Sequence, residues 1–525
     1  MHTIKLFIVI FLLLLPSLSI GATYNIGPGQ TYTSIADFTG WTSLAAGDTV
    51  RIHYATYKEM ILLCQSGTAE NPITIEGVPD ASGNLPVLDG NDMVIPTQFD
   101  GHLSEYDLGG GQLAQGYGLV FVYRSLQDDD YSTFPEYITI KNLEIKSTTP
   151  ESYTFTNSNE VVQSYPDASA GLYIKTGRHI LVENCIIHDC GNGFDIQGVE
   201  QTVYDVTMRG CYIYGNGRTD ARYDREHNSY TESVGMLIEY NYFGPLRSGA
   251  GGSSLKDRSV GTVIRYNIIY SGARTLDLCD SENVIGSGYD ALNDPNYGDD
   301  WVYGNVFVND ENVSAGSPLA GNMFQFGYDN QADRTRSGTL KFFNNTIYVN
   351  IDSGTIYNLR VFDVSTSAET VELYNNVFHL NGTSLKWMAN SSRGATTGTF
   401  NWRGGNRITT GYTDFYTGDS GTWTEHIAIL EGVNTGVLAD PANGDFTVPV
   451  DSPLINAGVA LPSSITDTHP LDKQYKAVRT YESRADVDDI GAYLFGEAAS
   501  TGNTQLGSGT TGDISDPTAP TVVLF

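Results

Sequence analysis

The sequence predicts an all-β protein, a parallel β-helix of about ten coils, and a repeated phrase is the main reason. The phrase is a short alternating strand, an asparagine and a second short strand. Its nine copies read ITIKNLEI, ILVENCII, VTMRGCYI, LIEYNYF, VIRYNII, WVYGNVF, KFFNNTI, VELYNNVF and FNWRGGNRI. Its asparagines are Asn142, Asn184, Asn241, Asn267, Asn305, Asn345, Asn376 and Asn406, with Gly210 in one copy. Separations of 26 to 42 residues fit one coil plus a loop of variable length.

The second observation is composition. The chain has 57 Gly, 33 Tyr and only 17% charged residues, and no helical period separates its short strands. One coil cannot bury its apolar face alone, whereas stacked coils share a continuous core. An antiparallel sandwich or a propeller is the alternative architecture. It is disfavoured because no two-residue hairpin turn recurs.

The two ends and one internal segment differ from the repeat. Residues 1–21 read as a signal peptide, with Lys5 before an apolar run and small residues at its end, so we expect a secreted protein without membrane insertion. Residues 22–497 are assigned to the β-helix. Residues 97–136 are polar and irregular, which predicts a long loop or insertion. Residues 498–525 are rich in Ser, Thr and Gly and predict a linker with the possible start of a further domain.

Charge and cysteine content exclude some functions. A formal net charge of -32 argues against nucleic acid or an anionic membrane as the partner. The five cysteines cannot all pair. Cys185 and Cys211 occupy equivalent places in neighbouring repeats, and burial as small core residues is favoured over a bridge. We expect a monomer.

The coils between residues 227 and 280 carry the candidate chemistry. Their strands SSLKDRS and ARTLDLC alternate, so successive side chains face opposite ways. This predicts that Leu255, Leu276, Leu278, Phe324 and Phe326 are buried. It also predicts that Lys256, Asp277 and Gln325 are exposed on one sheet face. A cation and a carboxylate would then lie one strand spacing apart.

The same region is locally basic. Between Arg209 and Arg274 nine basic residues stand against six acidic ones, in an otherwise acidic chain. Such a region suits an anionic, chain-like ligand. Candidate ligand-binding residues are Arg222, Arg225, Arg247, Asp277 and Asp195. Arg265 is interpreted as an ordinary solvated residue.

The chain resembles a known group of proteins. The opening GD–GT–NPITI section, the asparagine phrase and the DIGAY ending look like secreted right-handed β-helix proteins, a group that includes pectate lyases, chondroitinase B-like enzymes and alginate lyases. The segment HNSY…SLKDRS…VIRYNII…RTLDL is similar to polysaccharide-degrading β-helix proteins. The resemblance implies a right-handed parallel β-helix over residues 22–497 and an acidic polysaccharide as substrate.

A lyase acting on a uronate polymer needs a cation or donor for the carboxylate and a base for the α-proton. We hypothesise that Lys256 is the base, or holds the substrate beside it. Arg258 and Arg274 would neutralise the carboxylate, and His227 or Tyr230 would serve the leaving oxygen. Neighbouring cations would lower the pKa of Lys256, whereas Asp277 would raise it. The sequence does not determine which of these two effects is larger.

Two other functions stay open. A glycoside hydrolase would use paired carboxylates, with Asp195 and Asp277, and also Asp280, on one outward row. A non-catalytic glycan-binding or adhesin protein is the second alternative. The same carboxylates could bind Ca²⁺, but no loop has regular ligand spacing, so we expect no metal and no cofactor.

Overall fold

A computed structural model describes residues 21–495 except 100, 104–113, 126–133, 199–201, 285–288, 314–315, 391–397, 416–421, 427–428, 477–478 and 485–487. Residues 1–20 of the predicted signal peptide and the predicted linker at 498–525 therefore lie outside the described residues. Within this part of the chain, no helix is both long and apolar enough to cross a membrane.

Three long sheets of parallel strands form the molecule. Among the described residues, thirteen strands make up the first sheet. They are Thr23–Ile26, Thr49–His53, Ile73–Val78, Glu136–Lys141, Gly177–Glu183, Val203–Arg209, Val234–Glu239, Val260–Arg265, Asp300–Tyr303, Thr339–Phe343, Thr370–Tyr374, Thr399–Gly404 and Thr422–His426.

The second sheet has twelve strands within the described ranges. They are Thr56–Tyr57, Val87–Asp89, Glu144–Lys146, Ile186–His188, Tyr212–Tyr214, Tyr242–Phe243, Ile268–Tyr270, Val306–Asp310, Thr346–Asn350, Val377–Asn381, Arg407–Thr409 and Leu430–Gly432.

The third sheet has eleven strands in the same part of the chain. They are Ile61–Leu63, Gly118–Val122, Ala170–Ile174, Asn192–Ile196, Ser229–Thr231, Leu255–Asp257, Leu276–Leu278, Asn322–Phe326, Asn358–Val364, Leu385–Asn390 and Thr413–Phe415. Each full coil adds one strand to each sheet, and the stack confirms the predicted right-handed parallel β-helix.

The remaining elements are short. Strands Met93–Val94, Thr154–Thr156 and Val162–Ser164 form a small sheet, and Lys473–Lys476 pairs with Thr480–Ser483 as a hairpin. The α-helix is Ser463–Thr466. The 3₁₀ turns are Trp41–Ser43, Thr97–Phe99, Ala114–Gly116, Ala291–Asn293, Ala332–Arg334 and Pro441–Asn443.

The segment 97–136 is only partly the loop that the sequence predicts. It contains Gly118–Val122, a fully buried strand of the third sheet, and the first residue of the strand Glu136–Lys141. The alternation is hidden because this strand is apolar and buried on both faces. Residues 104–113 and 126–133 of the predicted loop lie outside the described residues.

The asparagine phrase contains two columns rather than one. The column at the inner corner is a ladder in which each side-chain amide donates to the carbonyl oxygen of the next at 2.9–3.1 Å. Its members are Asn241, Asn267, Asn305, Asn345, Asn376 and Asn406, all fully buried. These amides also satisfy main-chain groups at the bend between the first and second sheets.

Asn142, Asn184 and Gly210 were predicted to share this place, and that alignment is wrong by one residue. Strand pairing puts them in register with Tyr240 and Tyr266, at the preceding position. That position has left-handed backbone, with φ between 53° and 62° in these five residues, which Asn and Gly tolerate best. In the ladder column the early coils carry Leu143, Cys185 and Cys211 instead. All five cysteines are free, and Cys185 and Cys211 are buried without a bridge, as predicted; Cys190 and Cys279 are buried as well.

The outer faces of the first and second sheets differ in what lies on them. On the first sheet, alternating charges pair between strands, as in Arg209 between Glu183 and Glu239. On the second sheet, the C-terminal segment packs Phe446, Leu454 and Ile490 against the outward valines of the coils. The DIGAY motif anchors this segment, because the Gly491 N–H donates to the Asn375 carbonyl. The outer face of the third sheet carries the predicted candidate residues Lys256 and Asp277.

Candidate functional site

The outward row of the third sheet passes through seven consecutive coils in exact register. Tyr230 pairs with Lys256 on the next strand, and Lys256 pairs with Asp277. The full row is Tyr173, Asp195, Tyr230, Lys256, Asp277, Gln325 and Asp363. The intervening leucines and phenylalanines are buried in the core, as predicted.

The predicted exposure of this row is wrong. Lys256 is 6% exposed, and Asp277 and Gln325 are fully buried. The alternation assigns the correct face, but the loop after the strand Asn322–Phe326 folds back over the row. That loop brings Asp329 onto Lys256.

Lys256 lies between two carboxylates. Its Nζ donates to Asp277 Oδ2 at 3.0 Å and to Asp329 Oδ2 at 2.6 Å. Burial lowers the pKa of this ammonium, but Asp277 and then Asp329 outweigh burial, so the pKa is raised. Burial likewise acts to raise the pKa of Asp277, but Lys256 and Arg274 hold it well below its usual range. The pair is thus fully charged near neutral pH, which argues against Lys256 as a base and for its alternative role in holding the substrate.

The two predicted arginines differ in accessibility. The Arg258 side chain is 2% exposed, and its guanidinium faces Asp280 at 3.3 Å and Glu282 at 2.9 Å. Arg274 is 25% exposed and contacts Asp277 at 3.1 Å and Asp329 at 3.8 Å. We call Lys256, Arg258, Arg274, Asp277, Asp280, Glu282 and Asp329 the ion-pair cluster. Arg274 is its most exposed cation.

His227 and Tyr230 border the cluster with ring centroids 5.8 Å apart. His227 is buried, and its Nδ1 accepts the Ser253 N–H at 2.8 Å, so a neutral ring carries its proton on Nε2. Burial and Lys256 lower the pKa of His227 to about 3. Burial raises the pKa of the Tyr230 phenol, which Arg258 partly opposes. In this arrangement the neutral His227 ring can donate a hydrogen bond through Nε2, and the protonated Tyr230 phenol can donate a proton to a leaving oxygen.

The buried His227 predicts acid sensitivity. Its pKa is about 3 when folded and about 6.5 when unfolded, so its contribution to stability is complete above pH 6.5 and is lost as the pH falls towards 3. At pH 4.5 this loss is on the order of 3 kcal/mol. The measurement is the free energy of unfolding from pH 4.5 to 7.5 for the wild type and for His227→Asn, whose amide oxygen can accept the Ser253 N–H. The variant should lose less stability on acidification, and an equal loss in both proteins would contradict the prediction.

Two carboxylates of the cluster and the neighbouring Cys279 are the atoms of a potential metal site. Ligand atoms of Asp277, Cys279 and Asp329 lie within 4.8 Å of one another. The Lys256 ammonium contacts both carboxylates. A cation already neutralises this donor set, and two guanidinium groups beside it repel a metal ion. The donors present therefore do not favour Ca²⁺, which prefers a cage of oxygen ligands.

The basic region does not form a basic surface. Eight of its nine cations form ion pairs with carboxylates, and most of those carboxylates come from other coils or loops. Of the predicted binding residues, Arg222 contacts Asp167 and Glu226, whereas Arg247 contacts Asp189. Arg225 is exposed, and no ion pair of the described residues includes it. Arg265 is not simply solvated, because it contacts Glu239 on the first sheet at 2.6 Å.

Asp195 shares the row with Asp277, as predicted, but the two do not form a hydrolytic pair. Three strand spacings separate them, which is about 14 Å. Carboxyl groups in glycoside hydrolases are about 5–9.5 Å apart. Asp195 is fully buried, burial raises its pKa, and its Oδ2 accepts from Asn192 at 2.6 Å. Asp280 follows the strand Leu276–Leu278 and faces Arg258.

Sequence reasoning missed four residues that organise the site. Asp329 and Glu282 bind its cations from loops. The buried carboxylate of Glu232 accepts four hydrogen bonds from residues 282–284 and one from Ser281, which holds the loop of Glu282. Arg336 joins the buried Asp257 and Asp300 beneath the cluster. The charges were visible in the sequence, but nothing in their spacing linked them to Lys256.

Comparison with known proteins gives a family model and distant structures. The model of the right handed beta helix region matches residues 136–311. No curated protein matches the chain. Among solved structures, an alginate lyase from Paenibacillus sp. str. FPU-7 is 15% identical with a TM-score of 0.40, covering 69% of this chain and 98% of that one.

Two further solved structures are similar at the same level. Pectate lyase Pel9A is 13% identical with a TM-score of 0.44, covering 91% of this chain and 97% of that one. The lacto-N-biosidase of Eubacterium ramulus is also 13% identical, with a TM-score of 0.38, covering 79% and 68%.

Proposed function

We propose that this protein degrades a polysaccharide, and that it does so by β-elimination at uronate sugars on the outer face of the third sheet. The observation that carries the proposal is the convergence of Lys256, Arg258, Arg274 and Tyr230 on three consecutive coils. β-Elimination needs a cationic group beside the substrate carboxylate and a proton donor beside the leaving oxygen. The resemblance of the sequence to secreted polysaccharide-degrading β-helix proteins agrees with this proposal, and with an exported protein.

The residues take the following roles in this proposal. Lys256 and Arg274 hold the uronate carboxylate, which makes the neighbouring α-proton more acidic. A carboxylate at the solvent-exposed edge, for which Glu282 is the candidate, accepts that proton. The electron pair forms a carbon–carbon double bond, the bond to the glycosidic oxygen breaks, and the Tyr230 phenol donates a proton to that oxygen.

Incubation with alginate, pectate, glycosaminoglycans and a neutral polysaccharide tests the proposal. We expect ultraviolet absorbance from an unsaturated sugar with one of the uronate polymers. Arg274→Ala should raise KM and slow turnover, because the carboxylate is held both in the bound substrate and in the developing enolate. Arg51→Ala is the matched control, since Arg51 is a partly exposed arginine that pairs with Glu76 on the first sheet, outside the cluster. New reducing ends without absorbance would mean hydrolysis, binding alone would mean a glycan-binding protein, and either result would overturn the proposal.

A further inference from the structure

We propose that the Asp329 carboxylate occupies the binding place of the substrate's own carboxylate, and that a uronate sugar displaces it. Asp329 is in this view an internal ligand that keeps the site closed until a polymer binds. The inference rests on the proposed function, because it assigns the class of group that the site takes.

The first argument is coordination. The Asp329 carboxylate contacts Lys256 at 2.6 Å, Arg258 at 3.6 Å and Arg274 at 3.8 Å. Among the ion pairs of the described residues, no other carboxylate contacts all three of these cations. A site bordered by one ammonium and two guanidinium groups is suited to bind one carboxylate.

The second argument is accessibility. The Asp329 side chain is 20% exposed, whereas Asp277 and Asp280 beneath it are 1% and 0% exposed. Asp329 therefore lies between the buried cations and solvent. Its removal would expose the Lys256 ammonium to an incoming group without disturbing the carboxylates below.

The third argument is that displacement needs little motion. Asp329 lies outside the coil strands, in the loop between Asn322–Phe326 and Thr339–Phe343. Its backbone N–H and that of Asn330 both donate to Asp280 Oδ1, which holds the main chain in place. Rotation of the Asp329 side chain alone is then sufficient to remove its carboxylate from the site between the three cations.

The fourth argument is charge. The cluster has four carboxylates and three cations. A uronate carboxylate that replaces Asp329 leaves this balance unchanged, so the buried cations stay compensated during the exchange.

Calorimetric binding of galacturonate, glucuronate and mannuronate oligomers to Asp329→Ala and Asp329→Asn tests the inference. Both variants should bind one of these acids at least about tenfold more tightly than the wild type, because the wild-type site is occupied most of the time. KM for the uronate polymer should fall in parallel. Asp333→Ala, an exposed aspartate in the same loop, is the control and should bind like the wild type. Thermal unfolding of each variant verifies that it is folded, and the Asn variant preserves the shape of the side chain.

Two outcomes would overturn the inference in distinguishable ways. If the wild type cleaves a uronate polymer but neither Asp329 variant binds uronate more tightly, the inference fails and the proposed function stands. If no protein in the set binds or cleaves a uronate, both fail together.

Discussion

Replacement of Lys256 by methionine is expected to reduce turnover by about a hundredfold or more, the effect of losing a positioned charged group at the reacting centre. Because Lys256 is buried rather than exposed as predicted, its replacement should also lower the stability of the protein. Asp277 is fully buried, and without Lys256 its remaining hydrogen-bond partners among the described residues are Arg274 and the Ser253 hydroxyl. We therefore expect a loss of about 3 kcal/mol of stability, the lower end of the cost of breaking a buried pair.

Turnover on the cleaved polymer and the free energy of unfolding in denaturant measure these two effects. Lys58→Met is the matched control: its ammonium faces Asp92 at 3.6 Å, and both side chains are about half exposed or more. Exposed pairs contribute under about 1 kcal/mol, so the control should behave like the wild type. A Lys256→Met protein with full activity would remove the third-sheet cluster from the mechanism.

Replacement of Arg336 by methionine is expected to destabilise the protein by about 3–5 kcal/mol, the largest effect on stability that we predict. The Arg336 guanidinium is completely buried and contacts Asp257 at 2.7 Å and Asp300 at 2.6 Å. It also donates to the carbonyls of Cys279 and Ser259. Its loss would leave two carboxylates buried without their cation.

The pH dependence separates this explanation from simple loss of packing. Burial already raises the pKa of Asp300 to about 6 although Arg336 opposes it, so without Arg336 this pKa should rise further above its unfolded value. Raised carboxyl pKa values favour folding at low pH and oppose it as the pH rises. The deficit of Arg336→Met relative to the wild type should therefore be smaller at pH 5 than at pH 8. The double variant with Asp300→Asn should recover part of the loss, and a deficit independent of pH would contradict this account.

The β-helix, and which of its side chains point inward or outward, were predictable because both follow from short-range periodicity. A two-residue alternation decides that Leu255 faces in and Lys256 faces out, whatever the loops do. From Asn241 to Asn406, the recurring asparagine marks the bend of each coil. The one-residue error at Asn142 and Asn184 arose because asparagine suits both the left-handed position and the ladder position, so residue type alone cannot separate them.

The candidate site was predictable only in part. Lys256, Asp277 and Tyr230 were found because they lie on paired strands of consecutive coils. Their partners come from far along the chain: Asp329 is 73 residues from Lys256, and Arg336 is 79 from Asp257.

The sequence by itself thus determined the coil, its core and the row on which the chemistry lies, because neighbouring residues encode strand alternation. Only the tertiary structure decided that this row is covered and that its cations are neutralised. Loops of unequal length place Asp329 and Glu282 over the row and Arg336 beneath it. The end point of a loop depends on packing between coils rather than on its own local pattern.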